Sequence, residues 1–395
     1  MKSNELLAEA TVLFSRSIYG NSFTPLHRPV FEGNERQYLI DCIDSNFVSS
    51  VGAKVTEFER KVAEFTGSKH AIATVNGTAA LHVAIELAGV KPGDEVISQA
   101  LTFIATCNAI SYAGAKPLFV DVDVDTMGLS PIALKRFLEE HAEKRASGTF
   151  NKATGKKISA CVPMHTFGLP CRIAEISKIC CDWDIALIED AAESLGSYVG
   201  GRHTGTFASM ATLSFNGNKV ITTGGGGMII TDNSELAKRA KHITTTAKIP
   251  HPYEFMHDEI GYNYRMPNLN AALGCAQMER LGEFLTVKAQ LAGQWDAFFD
   301  GSSADFVKAT DRNKANHWLN AIILDSKEDR DEFLKLTNDN NVMTRPIWTL
   351  MSKLPMFKNC QTDGLENSLW LEGRVVNIPS SVPDGALPPY PGGQK

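Results

Sequence analysis

The chain has 395 residues, too many for one ordinary core, so two domains are the default. Hydrophobic residues make up 43% and charged residues 21%, the balance of a soluble globular enzyme and not of a disordered or fibrous chain. The net charge of -6 argues against nucleic acid as a main partner, since phosphates are neutralised by clustered Lys and Arg, and no apolar run is long enough to cross a bilayer.

The N-terminus, "MKSNELLAEATVLFSRS", carries Glu5 and Glu9 where a signal peptide needs an unbroken apolar region, so a cytoplasmic location is expected. Residues 1–40 read as an arm. "TPLHRPVFEGNERQYLIDCI" opens with prolines and ends in a helical pattern. From about Val55 strands and helices alternate: "AIATVNG" and "DEVISQA" as strands, "TAALHVAIELAGV" and "TFIATCNAISYAG" as helices, then "KPLFVDVD" as a strand. "SPIALKRFLEEHAEKR" reads as a helix capped by Ser130 with Pro131 at its first position, and the basic "KRASGTFNKATGKK" as a solvated loop. "KISACVPMH", "CRIAEISKICCDW" and "IALIED" continue as strand, helix, strand. Such alternation implies right-handed crossovers and a mainly parallel sheet covered on both faces, over residues 41–250. Beyond 250 a long helix, "HWLNAIIL" and "SKEDRDEFLKLTNDNNV" suggest a smaller α+β domain over 251–395, closed by a Pro-rich tail. The eight cysteines are scattered without C-x-x-C pairs or zinc spacing, so they read as small core residues and no metal is expected.

Within this frame "SFNGNKVITTGGGGM" places Lys219 between two strand-like runs and just before four glycines. A solvated hairpin turn is the plain reading. A nucleotide-phosphate loop fits worse, because Val220 follows the lysine where Ser or Thr is needed and the glycines lead into a strand. A lysine that bonds a carbonyl, with pyridoxal 5'-phosphate as the usual partner, makes two further demands. A carboxylate must face the pyridine nitrogen, and backbone amides must hold the phosphate. "NGTAALHVAIELA" supplies a strand-to-helix turn at Gly77, Thr78 and Ala79. "IALIEDAAESLG" puts Glu189 and Asp190 at the C-terminal end of a buried strand, the edge where open α/β sheets bind ligands. Phe103 in "LTFIATCNA" is an aromatic for ring stacking. Each has an ordinary alternative: a capped helix, a loop acid, a core aromatic. In the order phosphate turn, aromatic, carboxylate, lysine, they point together to pyridoxal phosphate.

"NGTAALHVA", "QALTFIATCNAI", "IEDAAESLGS", "SFNGNKVITTGGGGM" and "EIGYNYRMPNLNAALG" resemble successive motifs of the DegT/DnrJ/StrS family of sugar aminotransferases, over about Arg28 to Ser380. The resemblance implies the fold-type I pyridoxal-phosphate aminotransferase fold, an α/β large domain plus a smaller α+β domain. It implies a homodimer with shared active sites, and transfer of an amino group from glutamate to a nucleotide-linked keto-sugar. It also implies Lys219 as the Schiff-base lysine and Asp190 as the pyridinium partner. Gly77, Thr78, Ala79 and Ser214 fall at the phosphate, Phe103 at the ring, and Asn263 in "GYNYRM" at the phosphate of the partner's site. Glu193 stands where many members carry Gln or His near the phenolic oxygen. The segment from Glu139 to Lys157, with "TRPIWTLMSKLP", is most similar to members acting at C4 of UDP-linked 4-keto-6-deoxy-N-acetylhexosamines, in bacterial surface-glycan or nonulosonic acid synthesis. Arg28, His317 and Arg345 are candidate contacts for diphosphate or carboxylate. Two other readings stand beside this one. An amino-acid aminotransferase or desulfurase would use Arg374 for an α-carboxylate or Cys360 as a thiol. A non-catalytic regulator would bind the cofactor without turnover.

Overall fold

The computed structural model describes residues 3–310 and 313–390; the last five residues of the Pro-rich tail lie outside them. Three helices open the chain: α1 (Ser3–Tyr19), α2 (Glu35–Asp44) and α3 (Ala53–Thr66). Then follow β1 (His70–Thr74), α4 (Gly77–Leu87), β2 (Glu95–Gln99), α5 (Ile104–Tyr112), β3 (Lys116–Val120), α6 (Pro131–His141), β4 (Ile158–Val162), α7 (Ile173–Asp182), β5 (Ala186–Asp190), β6 (Met210–Ser214), β7 (Gly227–Thr231) and α8 (Ser234–Thr244). The long helix α9 (Asn268–Phe299) leads to β8 (Ala304–Phe306), β9 (Asn320–Leu324), α10 (Lys327–Asp339), β10 (Arg345–Pro346) and β11 (Val375–Ile378). Among the described residues no helix is long and apolar enough to cross a membrane.

The first seven strands form one sheet in the order β1-β7-β6-β5-β4-β2-β3, in which β7 alone runs against its neighbours. This is the mainly parallel α/β sheet expected from the alternation. Its strands are apolar at successive positions because both faces are covered. Ile188 packs among the side chains of α4, α5 and α8, while its neighbour Leu187 packs among those of α6 and α7. The caps expected at helix starts are present: Ser130 Oγ accepts the Ala133 amide at 3.3 Å.

Two expectations change. α6 ends at His141, and "AEKR" continues as a strand paired antiparallel with Gly148–Asn151. Helix propensity loses there to tertiary anchoring: Asn151 Nδ2 donates to Glu95 and to Gln361, both at 2.8 Å. The expected N-terminal arm contains a docked helix. α1 lays Leu7, Phe14 and Ile18 on the second sheet (order β8-β9-β11-β10, all antiparallel), with the Phe14 ring 4.7 Å from that of Trp295. These three residues lie on one helical face. The helix α9 packs against α2 and α3 and also against α1 and the second sheet, so it ties the two sheets together.

Candidate active site

The C-terminal ends of β1, β2, β5 and β6 converge on a cavity of about 670 Å³, within the range of small-molecule sites. Its lining includes Gly77, Thr78, Phe103, Asp190, Glu193, Ser214, Lys219 and Arg345. Eight of the residues singled out in the sequence therefore meet in one place, from segments spread across most of the chain.

The turn that opens α4 is built by Asn76 and two glycines. Asn76 is extended (φ -165°) and caps α4, its Oδ1 accepting the Ala79 amide at 2.8 Å. The Gly77 and Thr78 amides, first in the helix, have no carbonyl behind them to accept, so they are the donors left for an anion. Ala79 does not line the cavity, and its amide is already held by Asn76. A Cβ on Gly77 would come to 3.0 Å from Ser214 Cβ, so glycine lets α4 start against β6. The glycine run after the lysine divides its work. Gly224 takes φ +79°, which favours glycine. Gly226 packs against its own loop at Thr223 and lines the cavity. At Gly227 a Cβ would sit 2.3 Å from the Asn76 carbonyl oxygen and 2.6 Å from the Gly77 nitrogen. Gly227→Ala is expected to push the turn aside, costing about 1–3 kcal/mol of stability and most of the bound cofactor. Gly225→Ala, whose nearest contact would be Val75 O at 4.0 Å, should leave both nearly unchanged. Thermal unfolding and cofactor absorbance per subunit check the pair.

Lys219 is not in a short solvated turn. β6 and β7 pair as a hairpin, but residues 215–226 loop out between them, and Asn216 O accepts the Lys219 amide at 3.0 Å. The loop turns the side chain inward to 13% exposure. Nζ lies 3.2 Å from Glu193 Oε1 and 3.7 Å from the centroid of the Trp318 ring.

Strand alternation separates the two acids of "IED". Glu189 is fully buried on one face, accepting the amides of Gly205 (2.7 Å), Phe207 (2.6 Å) and Ala208 (2.9 Å) and paired with His165 Nε2 at 3.1 Å. It is a structural clamp. Asp190 faces the cavity from a nearly buried position, with Thr106 Oγ1 donating to Oδ2 at 2.7 Å and the Ala192 amide donating to Oδ1 at 3.2 Å. Burial pushes the Asp190 carboxyl above its usual range, while those bonds and the Lys219 charge act the other way. Phe103, at the start of α5, is 47% exposed and lies on the cavity, so it is not a core aromatic.

Other candidates lie elsewhere. Arg28 is ion-paired with Asp384 at 2.5 Å and does not line the cavity. His317 also stays off it, and burial with the nearby Lys288 charge lowers its pKa to about 4, so at neutral pH it offers an anion no charge. Asn263 is exposed outside the cavity, its Oδ1 accepting from Arg265 Nε at 3.2 Å. Arg374 is turned to the carbonyls of Asp325 (3.1 Å) and Trp370 (3.2 Å), and Cys360 is half-buried away from the cavity, its thiol pKa raised by burial. The supports for an amino-acid aminotransferase or desulfurase are therefore absent from the site. Sequence reasoning missed Thr106 and Trp318, and it placed Asn76 in the turn before α4 and Trp348 in "TRPIWTLMSKLP" without giving either a part in the site. For Asn76 the N-cap preference before "GTAAL" was a usable signal; Trp318 comes from a remote segment that carries no local motif.

A family model for the DegT/DnrJ/EryC1/StrS aminotransferases matches residues 29–383. The chain belongs to this family. It is similar to GDP-perosamine synthase of Escherichia coli O157:H7, with 35% identity over 360 residues covering 91% of this chain and 93% of that protein. It is also similar to the spore coat polysaccharide biosynthesis protein SpsC of Bacillus subtilis, with 31% identity over 71% of this chain and 70% of that one. In fold it matches the aminotransferase TlmJ from Streptoalloteichus hindustanus, with TM-score 0.83 and 23% identity over 91% and 94% of the two chains. The protein is thus an aminotransferase of fold type I, and its cofactor is pyridoxal phosphate. The cavity suits that group: a carboxylate, an amine, a helix N-terminus with free amides and an open aromatic face all border it.

Proposed function

We propose that this aminotransferase moves an amino group from glutamate to the keto carbon, C4, of a nucleotide-linked 4-keto-6-deoxyhexose, supplying an amino sugar for surface-glycan synthesis. The observation that carries the reading is Lys219 and Asp190 bordering one cavity with the Gly77–Thr78 turn, whose mouth is lined by the segment Arg345 to Thr349. Relatives named for GDP-perosamine and for spore coat polysaccharide support the sugar. They make a GDP-linked sugar the first to test, ahead of the UDP-linked 2-acetamido sugar expected from sequence. The ribbon within Glu139–Lys157, one basis of that expectation, does not touch the cavity, whereas "RPIWT" does. Arg345 lines the cavity with its Nη1 donating to Asn338 Oδ1 and the Thr344 carbonyl, both at 2.9 Å, and its guanidinium charge supports a contact to diphosphate or carboxylate there.

Bound pyridoxal phosphate supplies an electron sink for the pair left when a C–H bond beside the amino nitrogen breaks. In this reading the Gly77 and Thr78 amides and the Ser214 hydroxyl bind its phosphate, and Phe103 covers its ring. The Asp190 carboxylate holds a proton on its ring nitrogen. Lys219 Nζ carries the proton from the α-carbon of glutamate and returns one to the sugar carbon. Incubation with glutamate and a panel of GDP- and UDP-linked keto-sugars, with and without a 2-acetamido group, followed by mass spectrometry, tests the substrate. Amination of 2-oxo acids with every keto-sugar left unchanged would overturn the reading.

The reading includes a homodimer in which Asn263 serves the partner's site; its exposed position, away from its own cavity, supports this. Mixing Lys219→Ala with Asn263→Ala protein should, after subunit exchange, raise activity above either parent, because one site of each mixed dimer then carries neither defect. Confirmed exchange without recovery would place Asn263 in its own chain's site.

A further inference from the structure

Lys219 already has a partner on each side within its own chain. Glu193 Oε1 lies 3.2 Å from Nζ, and the Trp318 ring centroid lies 3.7 Å from it, at side-chain exposures of 13% for the lysine and 2% for the acid. Both walls are held rigidly. The Phe167 amide donates to Glu193 Oε2 at 2.8 Å. Trp318 Nε1 donates to Asn218 O at 2.6 Å, and buried Lys288 Nζ donates to the Trp318 carbonyl at 3.2 Å. Asn316 clamps the two together: its Nδ2 donates to Glu193 O at 2.8 Å, and its Oδ1 accepts the Trp318 amide at 2.9 Å. Gly168, at φ +91°, leaves room for this clamp, since a Cβ there would meet Asn316 Oδ1 at 1.9 Å. Burial, with the nearby Asp190 charge, pushes the Glu193 carboxyl toward its neutral form, and Lys219 and the Phe167 amide favour the carboxylate.

We propose that the Glu193 carboxylate and the indole face of Trp318 form a holding site for the Lys219 ammonium during the half of the cycle in which Lys219 is not bonded to the cofactor. The inference rests on the role proposed for Lys219 above. In the glutamate half-reaction Lys219 Nζ would yield its bond to the cofactor to the glutamate nitrogen. Over the whole half-reaction, cofactor joined to Lys219 Nζ, glutamate and one water would give the amine form of the cofactor, 2-oxoglutarate and the free Lys219 amine. Lys219 ends as a free amine that takes up a proton. A site that binds its ammonium by charge and by cation–π attraction stabilises the amine form of the enzyme over the aldehyde form. Trp318 thereby acts on the reacting nitrogen itself, a part that no local sequence signal assigned to it.

The test is an equilibrium. Holoenzyme is brought to a fixed ratio of glutamate to 2-oxoglutarate, and the proportion of amine to aldehyde cofactor is read from the absorption spectrum. Trp318→Leu is expected to lower that proportion about three- to tenfold, Glu193→Gln about tenfold, and Trp318→Phe, which keeps an aromatic face, much less. In cofactor-free protein an amine-directed acylating reagent should label the Lys219 peptide several-fold faster in Trp318→Leu than in wild type. A folded, cofactor-loaded Trp318→Leu with unchanged proportion and unchanged labelling overturns the holding site. If Trp318→Leu does not fold, Glu193→Gln decides by the same two readings. Borohydride that fails to link the cofactor to Lys219 in wild type would instead defeat the proposed function, so the two failures are distinguishable.

Discussion

Lys219→Ala should lower turnover by about a thousandfold or more, with the fold intact. The side chain has two parts in the proposed reaction, bonding the cofactor's carbon and carrying the proton, and no other described lysine lines the cavity to replace it. Its removal leaves Glu193 buried at 2% side-chain exposure without its charge partner, but burial already favours the neutral acid, so the carboxyl can protonate and the core need not move. Secondary structure by circular dichroism should therefore match wild type while both half-reactions stop. Borohydride treatment of wild-type holoenzyme should fix the cofactor to the peptide containing Lys219, and this linkage should vanish in Lys219→Ala. Label on another lysine would sink the assignment.

Asp190→Asn should retain the fold and part of the cofactor but lose about a hundred- to a thousandfold in rate. An asparagine Oδ1 can still accept the Ala192 amide while its Nδ2 donates to the Thr106 hydroxyl, which can turn to accept, so packing between β5 and α5 changes little. What disappears is the negative charge proposed to keep a proton on the ring nitrogen. That proton is what lets the ring take up electrons in the transition state, so the loss falls on the chemical step rather than on substrate binding. Single-turnover rates with glutamate should fall as far as kcat does, with little change in the concentration dependence. Wild-type rates in both half-reactions would rule out the role. Glu189→Gln would instead disturb the amides of Gly205, Phe207 and Ala208 and should appear as lower thermal stability.

Much of the fold was legible because its signals are local. The alternation of apolar strands with capped helices sets a parallel α/β sheet, and a ligand edge follows from strand direction alone. α1 was legible in principle too, since Leu7, Phe14 and Ile18 share a face, but its target is a sheet that begins only at Ala304, far along the chain. The ribbon after His141 was not legible, because "AEKR" favours helix until Asn151 is tied to Glu95 and Gln361.

By itself the sequence determined the strand–helix order, the Gly77–Thr78 turn, the paired acids of "IED" and the lysine before the glycines, all matters of period, capping and motif spacing. Only the tertiary structure decided which acid faces the cavity. It showed Gly227 to be needed where β7 passes the Asn76 carbonyl, and it chose Arg345 over Arg28, His317 and Arg374 at the mouth. It also brought Trp318, in the bend just before β9, onto Lys219. Those choices depend on contacts between segments far apart in sequence. A local pattern states which way a side chain leaves its strand or helix, and the packing of the whole chain settles what it meets there.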